Sequence, residues 1–168
     1  MNVLVTGGNG QLGMSLRLAS AESSNRYIFT DIEELDITSA EAVEAFFRYE
    51  KPAVVVNCAA YTAVDMAEEQ EEVADRINHR AVAILAKACA QHNTTLIHIS
   101  TDYIFSGNAS TPYTEENMPA PHSAYGRTKL AGERAIEASG CRNIILRTAW
   151  LYSEFGGNFL KTMLRLTA

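Results

Sequence analysis

The stretch Asn2–Gly13, NVLVTGGNGQLG, decides the fold. Its first part, Asn2–Thr6, is short and rich in valine and leucine, the pattern of a strand buried on both faces. The run ends directly in Gly7, Gly8, Asn9 and Gly10, and Leu12, Leu16 and Ala19 then recur at helical spacing. A strand that turns through glycines straight into a helix opens a βαβ unit. Glycine belongs there because a Cβ would block a tight turn or the close approach of a ligand. The following helix start offers free N–H groups and a positive dipole end, a seat for a pyrophosphate. Two registers fit a dinucleotide-binding turn: Gly8, Gly10 and Gly13 as GxGxxG, or Gly7, Gly10 and Gly13 as GxxGxxG. The second is preferred because Gly7 directly follows the strand. A glycine-rich connector with no ligand is the bland alternative, and the βαβ context argues against it.

Outward from this turn, short apolar runs alternate with longer helical patterns. Tyr27–Thr30, Ala53–Cys58, Leu96–Ser100 and Asn143–Thr148 read as further strands. Between them, Ser39 is placed to cap a helix with Val43, Phe46 and Phe47 on its inner face, ended by Pro52. A long alanine-rich helix is expected over about Glu71–His92, and another over Ala124–Ser139, stopped by Gly140. The β-α-β order, with strands that lack polar alternation, predicts an α/β, doubly wound parallel sheet of the Rossmann type. Residues 1–150 are read as a dinucleotide-binding domain. Residues 151–168 read as the start of a substrate-binding portion whose remainder is absent, because Gly156–Ala168 begins an amphipathic helix and stops. Phe159, Leu160, Met163 and Leu164 on it are expected to be exposed.

Composition bounds the function. The chain has 168 residues, 47% of them apolar, enough for a real core. Fourteen basic against twenty acidic side chains give a formal charge of −6, which argues against nucleic acid as a partner. Cys58, Cys89 and Cys141 are far apart and odd in number, which suits a reducing compartment. No basic leader precedes MNVLVTGG, and no apolar run approaches the roughly 18 residues of a membrane span. A cytoplasmic protein without a membrane contact is expected.

Candidate site residues fall at strand ends and on one helix. Asp31 follows the second strand, where a carboxylate can accept hydrogen bonds from adenosine ribose hydroxyls and repel a 2′-phosphate. That favours NADH over NADPH; a turn-capping aspartate is the alternative. Asp36 either starts a helix or sits beside the adenine. Tyr125 and Lys129 share a helix face at i, i+4 spacing, with Ser123 as N-cap. They follow the fourth strand, which ends in Ser100, Thr101 and Asp102. Reducing a ketone needs a hydride on carbon and a proton on oxygen. A free tyrosine, with a pKa of about 10, holds its proton too tightly for efficient exchange at neutral pH. An ammonium ~5 Å away at an effective dielectric near 20 would favour the phenolate by roughly 3 kcal/mol, about two pKa units. Thr101 would hold the carbonyl oxygen. His98 is expected to be a packed core histidine. Asn78 reads as either a residue that hydrogen-bonds a water chain behind the lysine or a plain polar helix residue. Glu68–Glu72 reads as a solvated helix start, and Cys58 and Cys89 as small buried hydrophobes.

The segments VTGGNGQLG, LDIT, VVNCAAYTAVDMAE, HISTDYIFSG, YGRTKLAGE and ILRTAWLYSEFGGNF resemble the extended short-chain dehydrogenases/reductases, most closely the bacterial dTDP-4-dehydrorhamnose reductase family. The resemblance spans nearly the whole chain. It implies Thr101, Tyr125 and Lys129 as the catalytic set. It implies that Gly7, Gly10, Gln11, Leu12, Gly13, Asp31, Asp36, Ile37, Ala60, Tyr61 and Thr62 contact NADH or NADPH, with Tyr125 and Lys129. Thr101, Asp102 and Trp150 would touch a nucleotide-sugar substrate, whose 4-keto group is reduced to give dTDP-L-rhamnose. A homodimer is compatible with the family. Some members bridge a dimer through a metal held by a glutamate two residues after the last turn glycine; here that residue is Ser15, so no metal is expected. Two other readings stay open. One is another nucleotide-sugar reductase or epimerase of this superfamily; a dehydratase would want a second carboxylate where Tyr103 stands. The other is a non-catalytic dinucleotide-binding regulatory subunit, which need not keep a Thr/Tyr/Lys set.

Overall fold

A computed structural model describes residues 1–167. Five strands, β1 (Asn2–Thr6), β2 (Arg26–Thr30), β3 (Val54–Asn57), β4 (Thr95–Thr101) and β5 (Asn143–Thr148), form one sheet in the order β2-β1-β3-β4-β5. All four pairings are parallel. The order reverses between β1 and β3, which makes the carboxyl ends of these strands the switch point where doubly wound sheets open a ligand crevice.

Helices α1 (Gln11–Ala19), α2 (Ala40–Glu50), α3 (Val64–Glu69), α4 (Glu71–Asp75), α5 (Ala81–Gln91), α6 (Ala124–Ser139) and α7 (Phe159–Thr167) supply the connections. Ser39 caps α2 by accepting the Ala42 N–H, and Ser123 caps α6 by accepting that of Gly126. Gly140 ends α6 in the left-handed region at φ 71°. The main core sets Leu4, Val55 and Leu96 of the sheet against Val43 and Phe47 of α2, Val82 and Leu85 of α5, and Ile136 of α6. Among the described residues, no helix is long and apolar enough to cross a membrane.

Three sequence expectations change. The helix read over Glu71–His92 is preceded by α3, from which a break at Gln70 separates it, and widens into a π-turn over Arg76–Arg80 before α5. The acidic run is engaged as well as solvated. Glu68 accepts the Ala124 N–H at the head of α6 at 2.7 Å, and Glu71 pairs with Arg127. Burial on both faces fails at β5, an edge strand where Ile144 and Leu146 are exposed. Helix α7 buries no residue. Phe159, Leu160 and Leu164 are exposed as expected, Met163 is partly covered, and Ala168 lies outside the described residues.

Candidate active site

The glycine turn is shaped by contacts that only glycine permits. Gly7 has φ +65°, and a Cβ on it would lie 2.6 Å from the Ala59 amide nitrogen. A Cβ on Gly13 would fall on the Gly7 carbonyl oxygen, so α1 packs directly onto the turn. The Gly7, Gly10, Gly13 register is therefore the structural one, while the Gly8 N–H is spent on the Thr30 carbonyl at 2.9 Å. No side chain caps α1 at Gly10. Its first-turn N–H groups, at Gln11 and Leu12 on the cleft wall, thus lack a side-chain acceptor and suit an anion. Gly13→Ala is expected to cost about 1–3 kcal/mol through overpacking. Thermal denaturation should show the loss, and a dinucleotide titration at least a tenfold weaker affinity; an unchanged affinity would separate the turn from binding.

Two clefts meet over this turn and share Gly10, Cys58 and Ala60. The first, about 330 Å³, is lined by Gly7, Asp31, Asp36 and Ile37 among others. Asp31 accepts the Asn9 N–H at 3.1 Å and the Ile32 N–H at 2.9 Å, so it braces the glycine turn from the end of β2. Asp36 is not a helix residue. It accepts the N–H and hydroxyl of Thr38, which hold its carboxyl below the usual range. Ile37 is buried beside it.

The second cleft, about 470 Å³, is lined by Gln11, Leu12, Thr62, Thr101, Asp102, Tyr125, Lys129 and Trp150. Thus the catalytic candidates and the glycine turn share one continuous depression. Gly13 and Tyr61 line neither cleft. Gly13 acts from beneath the turn. Tyr61 packs its ring on Ala67, Ala74 and Ala124, while its backbone N–H and C=O are both bonded by the buried Asn78 amide. Asn78 is hence more than a plain polar residue; it pins the Ala60–Thr62 segment to the π-turn.

Tyr125 stands in the first turn of α6. Gly126 lets that turn approach closely, since a Cβ would strike the Tyr103 carbonyl oxygen. Tyr103 meets the Tyr125 ring edge-on at 5.7 Å. Burial pushes the Tyr125 phenol up; the Thr101 hydroxyl pulls it down, and Asp102 and Tyr103 push it up further. Thr101, buried at the end of β4, accepts the Tyr103 N–H at 3.2 Å. The expected lowering of the tyrosine by Lys129 is absent. The lysine is 1% exposed and turned toward β4, where Nζ donates to the Ile99 carbonyl at 2.6 Å and lies 3.3 Å from His98 Nε2. Burial brings Lys129 itself down to about 8, with Glu133 opposing.

Trp150 has φ +53°, a costly conformation for a bulky residue, and its ring meets Phe159 at 4.8 Å. Gln11 ties the chain beyond it across the cleft, donating to the Leu151 carbonyl and accepting from Asn158, both at 2.9 Å.

Sequence reasoning missed several participants. Thr6, Asn57 and His98 are register partners on three neighbouring strands and are hydrogen-bonded in a row. His98 is a packed core histidine, as expected, and also the neighbour of the lysine. Glu133 is buried behind the lysine and paired with Arg147. The available signal was the polar residue ending β1 and β3 and the histidine inside β4. Which of these face each other depends on strand order, which a single strand does not encode.

A family model described as the RmlD substrate binding domain matches residues 1–168. The dTDP-4-dehydrorhamnose reductase of Aggregatibacter actinomycetemcomitans is 42% identical over 165 residues, 98% of this chain and 56% of that protein. A probable dTDP-4,6-dihydroxy-2-methyloxan-3-one 4-ketoreductase of Streptomyces antibioticus is 44% identical over 169 aligned residues, 100% of this chain and 57% of that one. The solved dTDP-4-dehydrorhamnose reductase of Bacillus anthracis, in complex with NADP, superposes with a TM-score of 0.95 at 38% identity, covering 98% of this chain and 59% of that one. The chain therefore spans a little over half the length of the relatives it matches.

Proposed function

The chain belongs to the family described as the RmlD substrate binding domain, and from that premise we propose that it reduces the 4-keto group of dTDP-4-dehydro-L-rhamnose with a nicotinamide dinucleotide. The observation that carries the reading is the shared cleft wall. Thr101, Tyr125 and Lys129 stand on the same depression as Gly10, Gln11 and Leu12 of the glycine turn. The close packing at Gly7 and Gly13, and the uncapped start of α1, fit a diphosphate at that turn.

When bound, the nicotinamide supplies the hydride. The protein supplies the rest. Thr101 donates its hydroxyl to the ketone oxygen and fixes the carbonyl. Tyr125, held protonated by its burial, transfers the phenol proton to that oxygen as it gains charge. Lys129 stabilises the phenolate left behind. Trp150 and Asp102 flank the sugar, and residues 151–168 begin the portion that completes its site. Residues 1–150 serve as the dinucleotide-binding domain.

The test is direct. Trp150 is the single tryptophan and lines the cleft, so its fluorescence should report NADH or NADPH binding. Oxidation of the bound dinucleotide on adding dTDP-4-dehydro-L-rhamnose then reads the chemistry. Failure to bind either dinucleotide would overturn the proposal. The similarity to the Streptomyces antibioticus protein favours a second reading, the same ketoreduction on a different dTDP-linked ketosugar. Parallel assays with such sugars decide between them.

Cofactor choice turns on Asp31. Its carboxylate disfavours a 2′-phosphate, yet the Bacillus anthracis relative is solved with NADP. Asp31→Ala also removes the brace to Asn9. NADH affinity should fall about tenfold, the scale of one charged hydrogen bond, and NADPH affinity should fall less. Equal losses for both would show that Asp31 serves the turn alone.

A further inference from the structure

Gln11 is the first residue of α1, and its side chain leaves the glycine turn altogether. Nε2 donates to the Leu151 carbonyl at 2.9 Å, and Oε1 accepts from Asn158 Nδ2 at 2.9 Å. Main-chain groups at both ends settle the direction of each bond. The Leu151 carbonyl can only accept, so the Gln11 NH₂ faces it and the Gln11 oxygen faces Asn158. The Lys161 N–H can only donate, and Asn158 Oδ1 accepts it at 3.0 Å, so the Asn158 NH₂ faces Gln11. The Ser153 carbonyl accepts from the same NH₂ at 2.9 Å. Among the described residues, the two bonds of Gln11 are the only hydrogen bonds that join residues 150–167 to the rest of the chain.

That stretch has little else to hold it. Helix α7 is nine residues long and buries none of them, and a helix so short is marginal in water on propensity alone. It starts from Asn158, which caps it through the Lys161 N–H, and Lys161 Nζ in turn donates to the Glu154 and Gly156 carbonyls. Gly156 crosses over Gln11 itself: a Cβ built there would lie 3.6 Å from Gln11 Cβ and 3.9 Å from the Gln11 amide nitrogen. Trp150 and Phe159, at the two ends of this strap, meet ring to ring, and Trp150 keeps a φ of +53°. Backbone strain of that kind persists where the surroundings impose it, and the Gln11 bond falls on the very next residue.

We propose that Gln11 is a positioning residue that couples the two sides of the cleft: its main chain lies in the α1 turn suited to a diphosphate, and its side chain fastens the Trp150–Phe159 strap. This rests on the reading above, in which the glycine turn holds the dinucleotide and Trp150 flanks the sugar, and deepens it by joining the two. Seating a dinucleotide fixes the first turn of α1, and with it the anchor of the strap. Coupling of this kind is reciprocal, so an ordered strap favours the dinucleotide by the same factor. The wall that Trp150 contributes to the cleft is therefore set best on the dinucleotide-bound protein, and the sugar nucleotide binds second.

The experiment is amide hydrogen exchange of the 168-residue protein with NADH and, in parallel, NADPH, beside a calorimetric titration of each. At saturation the dinucleotide should slow exchange in residues 8–16, the turn and α1, and also in residues 159–167 of α7, the latter about tenfold, within the usual range of coupling between sites. Asn158→Ser keeps a hydroxyl to cap α7 but lacks the NH₂ that reaches Gln11. It should speed exchange in residues 159–167 and abolish their response to dinucleotide, while residues 8–16 still respond. By reciprocity it should weaken dinucleotide affinity about tenfold. Lys161→Met loosens the strap without touching the link, so its α7 should exchange faster yet keep the response; a merely structural role would make the two variants alike. Protection of residues 8–16 without residues 159–167 in the unsubstituted protein, or a full α7 response in Asn158→Ser, overturns the coupling and leaves the dinucleotide reading standing. No protection of either segment by either dinucleotide overturns both. If Asn158→Ser does not fold, the unsubstituted protein and Lys161→Met decide.

Discussion

Replacing Tyr125 by phenylalanine is expected to lower the turnover of dinucleotide-dependent ketone reduction a hundredfold or more, with dinucleotide affinity changed less than twofold. The magnitude is that of a lost general acid, about 10²–10⁴-fold. The split between the two readouts follows from position. Tyr125 lines the cleft from α6, while the glycine turn proposed for the diphosphate is built from β1 and α1. The ring itself packs against Tyr103, and phenylalanine preserves that packing. The pH dependence has a definite sign. Burial raises the phenol above its ordinary value, so the acid stays protonated through neutral pH, and rate falls only as pH climbs past that raised value. The measurement is single-turnover dinucleotide oxidation at saturating cofactor, beside the Trp150 fluorescence titration. Retention of half the activity in Tyr125→Phe would remove Tyr125 from the acid's role.

The parts of this molecule written in one segment were readable from that segment. Strand β1, the glycine turn and α1 are contiguous, and each glycine has a local steric reason visible as spacing. The caps Ser39 and Ser123 lie within three residues of the amides they serve. What single segments do not carry is partnership across strands. The sequence places Lys129 four residues from Tyr125, which suggests that the lysine acts forward on the phenol. The fold adds β4 beneath α6, and the lysine bonds downward to Ile99 and His98. Helix α3 was missed for a related reason. Val64–Glu69 has no side-chain cap, and its buried residue, Ala67, packs on Ala74 and Ala124, partners supplied by other helices. The resemblance assigns Tyr61 to the cofactor as part of the run Ala60–Thr62; its neighbours line the clefts, but its side chain packs on Ala67, Ala74 and Ala124 and its backbone is held by the Asn78 amide.

Glu133→Ala should be the most destabilising single change near the site, because it leaves a cation without its partner. The carboxylate is 2% exposed and accepts Arg147 Nη2 at 2.8 Å, Arg147 Nε at 3.2 Å and the Ser100 hydroxyl. One group on α6 thereby ties the helix to β4 and β5. The Arg147 guanidinium also lies over the Phe105 ring, 5.3 Å from its centre. Removing one partner of a buried pair costs about 3–5 kcal/mol, and the low end applies here because the Arg147 side chain is 24% exposed. A loss of about 3 kcal/mol corresponds to a fall in Tm of roughly 6–12 °C for a chain of this size. The alternative is that the guanidinium swings into solvent and the site closes over the gap, in which case the loss would be under about 1 kcal/mol. Thermal and urea denaturation separate these outcomes. A second change identifies the cause. Adding Arg147→Met to Glu133→Ala removes the stranded charge, so the double variant should recover part of the loss if an unpaired cation is responsible. If the double variant is as unstable as the sum of the two single ones, packing of the glutamate side chain dominates. Because Glu133 also favours the charged form of Lys129, Glu133→Gln should move the lysine midpoint further below about 8, a shift that carbon-13 NMR of Lys129 Cε across pH would read.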